Sequence, residues 1–146
     1  GEDARIFTVP EACLSSRSLF FKKVLSGNWK EAEDRTIKLP GDDGDTLELY
    51  LCCVFGHRLP VEPDPTPAID TGQEERLSLA KLYVFGENIQ DVRVKNVCIK
   101  TFLQSNWKIR HNNIWWRPNE NIVNVIYKGT EVGSPMCRLL FDILAH

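Results

Sequence analysis

The chain has 146 residues, with 18 Lys and Arg against 20 Asp and Glu, giving a net charge of −2. Hydrophobic residues are 42% and charged residues 26%, enough apolar chain for one ordinary core, which excludes a disordered tail and a disulfide-stapled miniprotein. The slightly acidic balance argues against nucleic acid as a partner, and the longest apolar run, residues 49–55, falls far short of the ~18 to 20 residues that cross a bilayer.

In chain order, residues 5–9 (Arg-Ile-Phe-Thr-Val) are rich in β-branched and aromatic types and predict a short strand ending at Pro10. A turn of helix follows at 11–14. Ser15 and Ser16 then suit the start of a second helix over 17–25, stopped by Gly27, with Phe20, Phe21, Val24 and Leu25 inward and Lys22 and Lys23 outward. Residues 35–39 alternate, which predicts a half-buried strand. The turn Gly41-Asp42-Asp43-Gly44-Asp45 places carboxylates at the start of a helix over 46–55, where unpaired N–H groups and the helix dipole favour negative charge. Leu47, Tyr50, Leu51, Val54 and Phe55 line one side of that helix and Leu49, Cys52 and Cys53 the other, so burial nearly all round is expected.

Gly56 ends this helix, and 58–61 suggests a third short strand. Pro60, Pro63, Pro65 and Pro67, with Glu62, Asp64 and Asp70, make 60–72 an exposed acidic loop. The remainder predicts helices over 74–87, 92–104, 120–127 and 135–145, the third after Pro118-Asn119 and the last with Ser134 as cap and Pro135 in its first turn. Val94, Val97, Cys98, Thr101 and Phe102 form one apolar stripe, and Met136, Leu139, Leu140, Ile143 and Leu144 another. The expected fold is α/β (α+β): a small, mostly hairpin, three-stranded sheet capped by a helical cluster. Residues 1–106 form the main domain and 107–146 a helical extension packed on it.

Candidate chemistry is sparse. The five cysteines are odd in number, lack CxxC spacing and include the adjacent pair Cys52-Cys53, the usage of reduced core thiols in an intracellular, cytoplasmic or nuclear protein. The charged start, Gly-Glu-Asp-Ala-Arg, lacks the order of a secretory leader. His57 lies four residues after Cys53, a spacing that suits a metal pair or a thiol with its base, against the simpler account of a core thiol and a loop histidine beyond Gly56. No nucleotide-binding, zinc-protease or nucleophile-elbow motif occurs, and the 41–45 turn lacks the later glutamate of a calcium loop. Trp107, Lys108, Arg110, Trp115, Trp116 and Arg117 interleave aromatics with positive charge, which fits a connection docked on the core, a peptide groove or a single-strand platform. No catalytic, cofactor or metal residue is assigned, and a non-enzymatic role is expected.

Several pieces in fixed order carry a family resemblance. They are Phe7-Thr8-Val9-Pro10-Glu11, the run from Leu14 to Phe21, Trp29-Lys30-Glu31, Thr36-Ile37-Lys38-Leu39, the acidic start and apolar body of 43–55, and Phe55-Gly56-His57-Arg58-Leu59. Together they resemble a BTB/POZ domain, and Ile126-Tyr127-Lys128-Gly129-Thr130 with the later Arg138-Leu139-Leu140-Phe141-Asp142 is similar to the fungal subset of that family. The resemblance implies a protein-interaction adaptor with protein partners, among them a cullin-type ubiquitin ligase scaffold. Asn28, Trp29, Lys30 and Glu31 match its contact loop. Because the family's strand before residue 5 is absent, a weak homodimer is expected to use instead the helix face of Leu14, Arg17, Phe20 and Phe21; plain homo-oligomerisation is the first rival reading, and a thiol or metal enzyme around Cys53 and His57 the second.

Overall fold

The computed structural model of the chain describes residues 5–27, 35–37, 39, 43–56, 71–106 and 118–145. Seven helices occupy the described residues: α1 Glu11–Ser15, α2 Leu19–Ser26, α3 Gly44–Val54, α4 Thr71–Ile89, α5 Val92–Asn106, α6 Glu120–Gly129 and α7 Pro135–Ala145. Their starts follow local chemistry. The side chains of Ser18, Asp43, Asn119 and Ser134 accept hydrogen bonds from the N–H groups of Phe21, Thr46, Ile122 and Cys137, satisfying donors that a helix start leaves unpaired. After α3, Gly56 takes φ +79°, a left-handed turn that a Cβ would strain.

Helix α4 is the centre of the fold. It packs against α2, α3, α5 and α6, with α1 on α2 and α7 on α6. Leu79, Leu82, Tyr83, Phe85 and Ile89 of α4 meet Tyr50, the α5 stripe Val94, Cys98 and Phe102, and Ile122, Ile126, Met136 and Leu140 in one core, so the helices beyond residue 107 share it. The 3.6-residue spacing of each stripe turns one face of each helix inward, and burial of that face is the main source of helix stability in a protein.

The expected α/β (α+β) fold with a three-stranded sheet is corrected: among the described residues there is no strand and the architecture is all-helical. A strand requires a neighbour for its backbone N–H and C=O groups, and five alternating residues cannot reveal whether one exists. Residues 5–9 are instead coil. Arg5 pins them, donating to Asp45 at 2.8 Å and Glu48 at 2.9 Å and standing 5.1 Å from the Phe7 ring. Residues 35–37 and 39 are also coil. Arg35 has φ +53°, incompatible with an extended start, and its guanidinium bonds the Glu11 carboxylate and the Leu25 carbonyl, each at 3.1 Å. The predicted strand 58–61, the loop up to residue 70 and the Trp107 to Arg117 segment lie outside the described residues.

Three smaller expectations change as well. Helix α2 begins at Leu19 with Ser18 as its cap, two residues later than expected, because Ser18 rather than Ser15 or Ser16 meets the Phe21 N–H. Residues 71–72, read as loop, open α4. Helix α3 is not enclosed all round: Tyr50 and Thr46 are buried, the apolar residues flanking Tyr50 are half-buried, and Phe55 past its end is exposed.

Candidate protein-interaction surface

Three chain junctions meet at Asp91, the residue between α4 and α5. Its side chain is 0% exposed. One carboxylate oxygen accepts from the Val94 N–H at 3.1 Å and so caps α5; the other accepts from Arg17 Nε at 3.1 Å and the Tyr50 hydroxyl at 2.8 Å. Arg17, 8% exposed, also donates through Nη1 to the Cys53 carbonyl at 2.9 Å, closing the last turn of α3. Ser18 adds a hydroxyl bond to the Ile89 carbonyl, and the Leu19 N–H reaches the Gln90 carbonyl at 3.5 Å. The start of α2, the end of α3 and the α4–α5 turn are thus tied in one buried polar knot. Burial, then the bond to Asp91, pushes the Tyr50 phenol well above its ordinary value, so it stays protonated and donates.

Next to each junction stands a large apolar side chain in water. Leu19, two residues beyond Arg17, is 53% exposed; Phe55, two beyond Cys53, is 49% exposed; Val92, next to Asp91, is 63% exposed. Single exposed apolar residues are normal; these three stand within two residues of residues tied into one buried knot. Lys22 and Lys23, one turn along α2 from Leu19, and Arg93, next to Val92 in the chain, are exposed.

Of the residues singled out from sequence, Asn28, Trp29, Lys30, Glu31 and His57 lie outside the described residues. In the suggested self-association face, Phe21 turns into the core and Arg17 into the knot, while Leu14 and Phe20 are half-buried, so the open surface of this region belongs to Leu19, Lys22 and Lys23. Cys53 is half-buried, and burial pushes its thiol up to about 11, the opposite of an activated nucleophile. Among the described residues no group of three His, Cys, Asp or Glu is placed to hold a metal ion, and no helix is long and apolar enough to cross a membrane. Sequence reading missed Asp91 and Tyr50. The one local signal was an Asp directly before the apolar period of α5, a capping position; its partners lie 74 and 41 residues away. No family model, curated protein or solved structure matches the chain.

Proposed function

We propose that this chain is a non-enzymatic protein-interaction module whose partner docks on the Leu19, Phe55 and Val92 surface. One observation carries the reading: three large apolar side chains face water from three junctions that a single buried knot holds in place. Preorganised anchors lose little freedom on binding, and that saving is what lets a small patch hold a partner. A thiol enzyme is the weaker reading, since the Cys53 environment disfavours the thiolate.

Isolation of partners from the native cell with wild type and with a Leu19→Ser/Phe55→Ser double variant tests the proposal. Both side chains are about half in water, so the variant should keep its melting temperature. A protein held by wild type and lost by the variant is the expected result. Equal capture by both refutes the surface. The cullin-adaptor role is a narrower form of the proposal. It rests only on the resemblance of Trp29-Lys30-Glu31 to the family's contact loop, because the sheet that the same resemblance implies is not found among the described residues. Calorimetry with a purified cullin should show binding that Glu31→Lys abolishes without a change in melting temperature; no binding by wild type ends that role and leaves the docking surface to be judged on its own test.

A further inference from the structure

The corner between α6 and α7 gathers polar groups that the docking surface does not use. Residues 130–134 join the two helices, with Glu131, Val132 and Gly133 exposed and Gly133 at φ +86°. The Ser134 N–H closes this turn on the Glu131 carbonyl at 3.1 Å. The Ser134 hydroxyl accepts from the Cys137 N–H at 3.3 Å, which caps α7, and donates to Thr130 Oγ1 at 3.1 Å. Ser134 itself is half-buried, and Pro135 directly after it is exposed.

The Tyr83 hydroxyl of α4 lies against this corner. Tyr83 is 0% exposed, and among the described residues its oxygen has no hydrogen-bond partner. Burial pushes the phenol up, while Lys95, the Met136 N–H and the Ser134 hydroxyl oppose that rise, so the hydroxyl sits at the start of α7 without a formed bond to it. A phenylalanine there would fill the same core without a buried polar atom, so the hydroxyl destabilises the chain as it stands. The start of α7 is the complementary case. Its first turn holds no acidic residue, its first N–H groups have no carbonyl within the helix to meet, and Arg138 stands exposed four residues after Ser134.

We infer that Ser134 is a phosphorylation site, modified by a protein kinase that reads Ser-Pro, and that its phosphate ties α7 to α4 through the Tyr83 hydroxyl. The inference is independent of the Leu19, Phe55 and Val92 surface. A nucleoside triphosphate held by the kinase supplies the group. The bond from Ser134 Oγ to the γ-phosphorus forms as the bond to the nucleoside diphosphate breaks, and the hydroxyl proton passes to a base of the kinase. The product carries about −1.5 to −2 charge and three strong acceptor oxygens at neutral pH. Donors for them are already in place: the Met136 and Cys137 N–H groups, the Tyr83 hydroxyl, and the Arg138 guanidinium one turn along the helix. The exposed residues on both sides of Ser134 leave the Ser-Pro segment open to an enzyme, and it stands at a helix start, where backbone hydrogen bonds are fewest.

Incubation of the full chain with a purified proline-directed kinase and ATP, with the modified residues mapped by mass spectrometry, is the first test. The chain holds two such dipeptides, Thr66-Pro67 and Ser134-Pro135. Phosphate on Ser134 that Ser134→Ala abolishes is the expected result; no phosphate, or phosphate on Thr66 alone, overturns the inference. The second test measures melting in a Thr66→Ala background, where only Ser134-Pro135 remains. Phosphorylation should raise Tm by about 2 to 4 °C. Tyr83→Phe should leave the unmodified chain as stable as before or more so, and should remove most of the gain from phosphate. A fall in Tm on phosphorylation, or a gain that Tyr83→Phe leaves whole, overturns the inference. So does a loss of stability in unmodified Tyr83→Phe, because the hydroxyl then already has a partner.

Discussion

Replacing Asp91 by Ala tests the knot on which the docking surface stands. The change removes three acceptor interactions at once from a carboxylate with no exposure to water. Leaving Arg17 without its buried partner costs about 3 to 5 kcal/mol. An unsatisfied Tyr50 hydroxyl costs about 1 to 3 kcal/mol. Loss of the α5 cap costs about 0.5 to 2 kcal/mol. These losses share one side chain and do not add in full, and Arg17 keeps its bond to the Cys53 carbonyl, so about 4 to 6 kcal/mol is expected for the whole substitution. That is much of the ~5 to 15 kcal/mol that holds an ordinary domain together. Urea unfolding followed by helical ellipticity, extrapolated linearly to water, reads it directly. Asp91→Asn keeps the cap and should cost less than Asp91→Ala, while Tyr50→Phe should cost about 0.5 to 1.5 kcal/mol. In a cycle with Arg17→Met, the double variant Arg17→Met/Asp91→Asn should be more stable than the sum of the single losses by about 1 to 3 kcal/mol. A loss under about 1 kcal/mol for Asp91→Ala, or strict additivity in the cycle, refutes the knot as the element that fixes the surface.

Other expectations follow from neighbouring observations. A Cβ at Gly86 would lie 2.5 Å from Cγ1 of Val94, a fully buried and rotationally stiff side chain, so Gly86→Ala should lower stability by about 1 to 3 kcal/mol despite the better helix propensity of Ala; an unchanged melting temperature refutes the close approach of α4 and α5. The Thr46 N–H, aided by Lys81, holds the Asp43 carboxyl below its ordinary 3.8. Its stabilising contribution is therefore present above pH 3.8 and is lost as the pH falls through the lower folded value; Asp43→Asn, which retains the cap, should flatten that part of the acid unfolding curve, and an identical curve counts against the assignment. Cys98 and Cys137 are buried whereas Cys13 and Cys52 are half-buried, so mass spectrometry of thiol labelling in native protein should find Cys13 and Cys52 modified first; equal early labelling of Cys98 contradicts the packing of α5 on the core.

Much of the helical content was legible in the chain because helix signals are local. A 3.6-residue apolar period and a capping side chain lie within a few residues of each other, and α3, α5, α6 and α7 start within two residues of where those signals put them. Ser134 and Pro135 marked the start of α7 directly, and the aspartates before α3 contained its cap, Asp43. Strands were misread for the complementary reason. The β-branched and aromatic composition of residues 5–9 and the alternation of 35–39 record which side chains prefer burial, whereas a sheet exists only if a second segment supplies backbone partners, and neither Arg5 on α3 nor the left-handed Arg35 is announced by its neighbours in sequence. The docking surface lay deeper still. Arg17, Tyr50 and Asp91 read in sequence as a cation at a helix start, a core aromatic and a residue ahead of a helix until packing around α4 brings them to hydrogen-bond distance. Whether Leu19, Phe55 and Val92 face the core or water depends on how those three junctions are turned, a property of the assembled helices rather than of any one segment.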